Sequence, residues 1–170
     1  MESESELKYI FSNINEWLKF AEAKHAGLII LNSAIVIGIL ASYSSIHHCL
    51  FKPSILIGLV CFGTSMFLSI VSQFPITQNI IIKKLNIQNP NLYFFGHLSK
   101  FEVQDLIKQL KNVDTNYIPN KLDLDIANQI IVNSKITETK FTLFKFASYI
   151  TAFGFGIIGI SSLIKIICHF

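Results

Sequence analysis

Three long apolar stretches without a charged side chain, residues 26–46, 53–74 and 146–164, constrain this chain more than any other feature. Each has roughly the 20 residues that a helix needs to cross about 30 Å of hydrocarbon. A soluble helix keeps one wet face, and these stretches have none. The first two are joined only by residues 47–52, and the third follows a polar-rich segment, 75–143. The pattern reads as a mainly α membrane protein with three transmembrane helices. Two of these helices extend into the cytoplasm, and a small αβα-like insert lies between spans two and three.

Charge fixes the expected orientation. The net charge is +3, and all 14 basic residues are Lys. Without Arg no bidentate fork is available, so a phosphate site must rely on Lys, helix N-termini or backbone amides. The positive charge is too small and too divided for a nucleic-acid footprint. Most lysines fall in residues 1–24 and in the insert, whereas the short loop carries Lys52 alone. The positive-inside bias therefore predicts an N-terminus and insert in the cytoplasm, and a C-terminus outside. The N-terminal residues are charged and lack an A-x-A site, so span one is expected to act as an uncleaved signal anchor. The organisation is a cytoplasmic helix 1–25, span 26–46, outer loop 47–52, span 53–74, sensor-like insert and stalk 75–143, and span 144–167.

Along the chain, Tyr9, Ile10, Ile14, Trp17, Leu18 and Ala21 recur at helical spacing, which predicts one helix from residue 4 into the first span. The insert is expected to open with a helix over 76–85 and turn at 86–90. An extended, β-like piece follows over 91–98. Ser99 and Glu102 match a capping box, so a helix is expected from Ser99 to about Asn112, with Phe101, Leu106, Ile107 and Leu110 facing a core. From about Asp123 a second long helix runs unbroken to Ile167, with Ile126, Ile130, Ile131, Ser134, Ile136, Phe141 and Phe144 in its apolar stripe.

No catalytic motif is present: there is no H-E-x-x-H, Walker loop, G-x-S-x-G or C-x-x-C, and the chain reads as a non-enzyme. Asp123 and Asp125 suit the positive end of a helix dipole better than they suit a cation. His47, His48, Cys49, Cys168 and His169 all fall near the outer face. They read as scattered interfacial residues, with a metal site or a Cys49–Cys168 disulfide as the sharper alternatives; no metal is assigned. Gly154, Gly156 and Gly159 suggest a close-packing face in span three. The apolar stretches 26–46, 53–74 and 146–164 contain no Asp, Glu or Lys and so no proton relay. Their Asn32, Ser33, Ser42, Thr64, Ser65, Ser69, Thr151, Ser161 and Ser162 serve either as glue between helices or as the lining of a narrow wet path in an oligomer.

Two groups are candidates for ligand binding. His97 ends an aromatic run, Tyr93-Phe94-Phe95-Gly96, next to an expected helix N-terminus, with Lys83 and Lys84 to supply charge. The competing reading is a core strand with one satisfied His. Asn128, Gln129, Asn133, Ser134, Lys135, Thr139 and Lys140 form a polar series on the last helix, with Asn128, Gln129, Ser134 and Lys135 as its ligand candidates; the series otherwise reads as the solvated side of the helix. Lys24 and His25 mark the membrane boundary as candidate interface or gating residues.

In its order of features the chain resembles the transmembrane effectors of Pycsar, the bacterial pyrimidine-cyclase anti-phage systems. The matching pieces are W-L-K-F-A-E-A-K-H-A-G-L from Trp17 to Leu28, the Phe94-Phe95-Gly96-His97 insert with an amphipathic helix after it, and Ala127-Asn128-Gln129, Ser134-Lys135 and Lys140 leading into the last span. Glu22 stands where the family often has Asp. The resemblance, over about residues 15–160, implies the following. A neighbouring cyclase makes cyclic CMP or cyclic UMP on infection. The effector senses it without any cofactor, and it then impairs the bacterial inner membrane, causing abortive infection. Three helices leave no pore, so a homo-oligomer is expected. The rival readings are a holin-like or toxin–antitoxin membrane toxin restrained by a partner, and a non-pore membrane anchor or assembly subunit.

Overall fold

The computed structural model describes residues 2–42, 51–74, 89–113 and 116–168. Five helices are present among them: α1 (Glu2–Ser42), α2 (Phe51–Gln73), α3 (Phe95–Leu98), α4 (Val103–Val113) and α5 (Lys121–Cys168). Three of the five, α1, α2 and α5, are long and apolar enough to cross a membrane. The expected helix over 76–85, Lys83, Lys84, and the outer-face group His47, His48, Cys49 and His169 lie outside the described residues, as does the side chain of Cys168.

The chain divides into two compact units, Met1–Ala21 with Ile76–Phe141, and Glu22–Pro75 with Thr142–Phe170. The first has an ordinary water-soluble core. Leu7, Ile10 and Ile14 from α1 pack with Phe95, Leu98, Phe101, Leu106, Ile107, Leu110, Ala127, Ile130 and Ile131. The stripe on α4 is the one its spacing predicts, because Leu106, Ile107 and Leu110 share one face at i, i+1 and i+4. Its other face carries Lys108, Lys111 and Asn112, all exposed.

The extended piece over 91–98 is not a strand. Asn91 Oδ1 accepts the Tyr93 N–H at 2.9 Å, which turns the chain. The Phe94 carbonyl then accepts from His97 and Leu98, and α3 begins. Burial follows the turn: Phe95, Leu98 and Phe101 are buried at three-residue spacing, not in the alternation of a strand. Among the described residues there is no second strand for 91–98 to pair with.

The expected capping box also shifts. Ser99 ends α3 instead of starting α4: its N–H bonds to the Phe95 carbonyl at 2.8 Å, and its hydroxyl bonds to Gly96 O and to the Glu138 carboxylate of α5. Helix α4 starts one turn later, where the Glu102 N–H donates to Asp105 Oδ2 at 3.0 Å. A complete reciprocal box occurs at α5. Asn120 Oδ1 accepts the Asp123 N–H at 2.9 Å, and Asp123 Oδ2 accepts the Asn120 N–H at 3.0 Å. Asp123 thus serves the helix terminus, as its position at the positive dipole end suggests.

In the second unit the buried positions alternate three and four apart. They are His25, Leu28 and Asn32 on α1, then Ile55, Gly58, Phe62, Ser65, Ser69 and Ser72 on α2, then Ala147, Thr151 and Gly154 on α5. That is the seam of a left-handed helix bundle. The opposite faces carry Ile30, Ile37, Val60, Phe67, Phe153 and Ile160, all exposed and all apolar, as a lipid-facing surface must be. Small residues set the spacing where α2 meets α5. A Cβ on Gly58 would lie 2.4 Å from Ile158 Cδ1, and one on Gly154 would lie 3.0 Å from Cys61 Cβ. The expected glycine face is therefore formed by Gly154 alone, since Gly156 and Gly159 are exposed with no neighbour near their Cβ positions.

The polar residues of the spans sort by what they reach. Thr64 and Ser162 bond to carbonyls of their own helices, Val60 and Ile158. Asn32, Ser65 and Thr151, one from each long helix, bond to one another, and Ser65 also donates to the Ala147 carbonyl at 2.9 Å. Ser161 donates to Ser54 at 2.7 Å, and Ser33 to Met66 Sδ at 3.3 Å. Gluing helices together is thus the role of several, as packing in lipid requires.

Candidate functional site

The most distinctive surface of the first unit surrounds His97. The chain reaches it through Asn89, whose φ of 54° is the left-handed conformation that Asn tolerates well. Three side chains of α1 then hold the turn in place. Asn13 Nδ2 donates to the Tyr93 carbonyl at 2.7 Å, Glu6 accepts the Tyr93 hydroxyl, and Tyr9 meets the Tyr93 ring edge-on at 5.6 Å. The hydrogen bond to Glu6, first, and partial burial, second, push the Tyr93 phenol above its ordinary pKa.

His97 is held by its own loop. The Asn91 N–H donates to its Nδ1 at 3.0 Å, so in the neutral ring the proton sits on Nε2 as a donor. Phe94 lies edge-on to the imidazole at 5.3 Å. Tyr9, Tyr93 and Phe94 are all exposed large rings. Together they make an aromatic shelf with one imidazole donor, which is surface chemistry suited to stacking a planar base.

Beneath the shelf the packing is tight. Phe95 stacks on Phe141 with centroids 5.0 Å apart and 9° between planes, and Trp17 covers Phe95 at 5.5 Å. Lys100 Nζ donates to the Gly96 carbonyl at 2.9 Å and lies 3.5 Å from Glu138, whose other oxygen takes the Ser99 hydroxyl. Sequence spacing alone did not single out Glu138, Lys100 or Asn13, and it marked Ser99 only as a helix cap. They act across long sequence separations, and their only sequence signal is polarity beside a core stripe.

The other candidate residues are spread out. Asn128 and Gln129 lie on the exposed side of α5, and Lys135 is half-buried. Ser134 is fully buried, and its hydroxyl has no hydrogen-bond partner among the described residues. Asn133, of the same polar series, donates to Asn15 of α1 at 2.8 Å. In the second unit, Lys24 Nζ lies 5.2 Å over the Phe144 ring, and the buried His25 meets the same ring edge-on at 5.6 Å. Both boundary residues therefore share one aromatic partner on α5.

A helical membrane protein with three candidate spans and two compact units is the class that these features define. A family model described as the Pycsar effector protein domain matches residues 6–166, and the chain belongs to that family, one of membrane effectors in anti-phage defence. No curated protein and no solved structure matches the chain.

Proposed function

We propose that this protein is activated by a cyclic pyrimidine nucleotide, cyclic CMP or cyclic UMP, made by a neighbouring cyclase, and that it then impairs the inner membrane so that the infected cell dies. The family match over residues 6–166 carries this reading, because it includes the first unit and all three candidate spans. The ligand would stack on the Tyr93 and Phe94 shelf and take a hydrogen bond from His97, and Lys83 and Lys84 would supply charge for its phosphate. Asn128, Gln129, Ser134 and Lys135 belong to the same proposed ligand-responsive face, and Lys24 and His25 to the membrane-side response. The packed seam of three helices encloses no channel at rest, so the lesion needs these helices to rearrange, in more than one copy. The N-terminus and insert would be cytoplasmic and the C-terminus outside, in keeping with the lysine distribution.

The test is membrane potential, followed by dye fluorescence in cells that express the protein with an active or a catalytically dead pyrimidine cyclase. Depolarisation with the active cyclase alone is expected. Depolarisation with both would make the protein an autonomous toxin, and depolarisation with neither would make it an anchor or assembly subunit.

A further inference from the structure

The seam of the second unit is not uniform along its length. Toward the end of α2 that leads into the insert, its buried positions are Ser65, Ser69 and Ser72, all fully buried, with Asn32, Thr151 and the Ala147 carbonyl at the level of Ser65 and with Leu28 and His25 following Asn32 on α1. Toward the other end they are Phe62, Gly58 and Ile55, with Gly154 and Ile158 opposite. Phe62 is fully buried and meets Phe155 edge-on at 5.2 Å. Beyond this apolar section a single polar pair, Ser54 and Ser161, closes the sequence.

The polar half holds more oxygen than packing requires. Asn32, Ser65 and Thr151 satisfy one another, so a bundle in need only of glue would have it there. Ser69 adds nothing to that knot. It is fully buried, and its Oγ has no hydrogen-bond partner among the described residues. An unbonded hydroxyl in a membrane core is costly, and Ala would fill the same space without that cost. A hydroxyl kept there gains a partner when water or an ion enters.

We propose that this half-polar seam is the route by which small monovalent cations cross the membrane in the activated protein, with Phe62 as the apolar constriction that closes it at rest. The proposal rests on the function given above and deepens it. The lining chemistry identifies the permeant: Ser65, Ser69, Ser72, Thr151, Asn32 and the Ala147 carbonyl present neutral oxygens, His25 is the one ionisable side chain among the buried seam positions, and ringed neutral oxygens replace the hydration shell of a cation. In the resting bundle the Asn32–Ser65–Thr151 knot and the Phe62 ring fill the axis. Separation of the helices would free the knot's oxygens toward the axis and draw Phe62 out of it.

Thiol accessibility tests this in full-length protein with Cys49, Cys61 and Cys168 replaced by Ser. In that background Ser69→Cys and Thr151→Cys report on the seam, and Phe67→Cys and Ile70→Cys on the lipid face. Inside-out membrane vesicles carrying each variant are treated with a cationic, membrane-impermeant methanethiosulfonate, with and without cyclic CMP or cyclic UMP, while potential is followed in parallel. A dry thiol reacts slowly because its thiolate is suppressed, so wetting should accelerate the Ser69→Cys and Thr151→Cys variants by about ten-fold or more, and the lipid-facing variants not at all. Ser and Thr to Cys changes are close to isosteric, and membrane abundance checks that each variant inserts. Depolarisation without acceleration at Ser69→Cys and Thr151→Cys would overturn the seam and leave the proposed function standing. Equal acceleration at seam and lipid-facing positions would also overturn it, in favour of general bilayer disorder. Absence of depolarisation with either nucleotide would overturn the proposed function, and the seam with it.

Discussion

Thr151 on α5 and Ser65 on α2 are joined by a 2.8 Å hydrogen bond inside the membrane-spanning unit, and Asn32 of α1 closes the triangle through its Nδ2 to both, at 3.0 Å and 3.1 Å. Ser65 passes its own proton to the Ala147 carbonyl, so three helices are tied at one level with every side-chain donor used. Replacement of Thr151 by Val keeps the shape but leaves one Asn32 N–H without its acceptor, while Ser65 keeps its bonds to Asn32 and the Ala147 carbonyl. Such interhelical bonds contribute on average about 0.6 kcal/mol and at most about 1.7 kcal/mol, so Thr151→Val should cost roughly 1–2 kcal/mol. Equilibrium unfolding in detergent measures it. A variant as stable as the parent would show that the triangle holds nothing together.

Close approach of α2 and α5 at Gly58 and Gly154 makes the next prediction. A Val at Gly58 would overlap Ile158 and force the helices apart, and overpacking of this kind costs about 1–3 kcal/mol. Gly58→Val should therefore lower the midpoint of detergent unfolding, whereas Gly63→Val, where no atom lies near, should leave it unchanged.

Glu138 is the polar anchor of the first unit, since it takes the Ser99 hydroxyl and lies 3.5 Å from the Lys100 ammonium in a partly buried setting. Hydrogen bonds to charged groups are worth about 1.5–3 kcal/mol, less where solvent reaches them, so Glu138→Leu should destabilise this unit by roughly 1–2 kcal/mol. Hydrogen exchange of the α3 amides checks the effect locally. Protection equal to the parent's would show that Phe95 and Leu98 hold α3 without it.

A pH dependence follows from Tyr93. Its folded-state pKa is raised above 10.0, chiefly because its hydroxyl is donated to Glu6. The neutral phenol is the favoured form in the folded state. Its contribution to stability is thus complete below pH 10 and is lost as pH rises through the raised value. Glu6→Gln should move the Tyr93 titration down toward the ordinary tyrosine range. The difference in ultraviolet tyrosinate absorbance between Glu6→Gln and Glu6→Gln/Tyr93→Phe reads it out.

For the proposed ligand site, His97→Ala and Lys84→Glu should each abolish nucleotide-dependent depolarisation without lowering membrane abundance. The Asn91 N–H fixes His97 Nδ1 and leaves Nε2 as the ring's donor, so His97→Gln should restore part of the response. Full response in both His97→Ala and Lys84→Glu would remove the shelf as the sensor.

What sequence alone could determine here was whatever depends on neighbours along the chain. Uncharged runs near the length of a bilayer marked α1, α2 and α5 as candidate spans, and i, i+3, i+4 spacing marked the buried face of α4 and the stripes of the long helices. The Pycsar likeness was legible for the same reason, since it rests on the order of segments. Tertiary structure decided the rest. Residues 91–98 look extended by composition, yet Asn91 turns the chain and the core takes Phe95, Leu98 and Phe101 at helical spacing. Ser99 looks like a helix start, but Glu138, far along the chain, claims its hydroxyl and α4 begins later. Local pattern likewise cannot separate Ser65, which ties three helices together, from Ser162, which bonds to its own, or from Ser69, which has no hydrogen-bond partner among the described residues. Hydrogen bonds and packing depend on which atoms meet in space, and for a short polar side chain on a long helix only the neighbouring helix decides that.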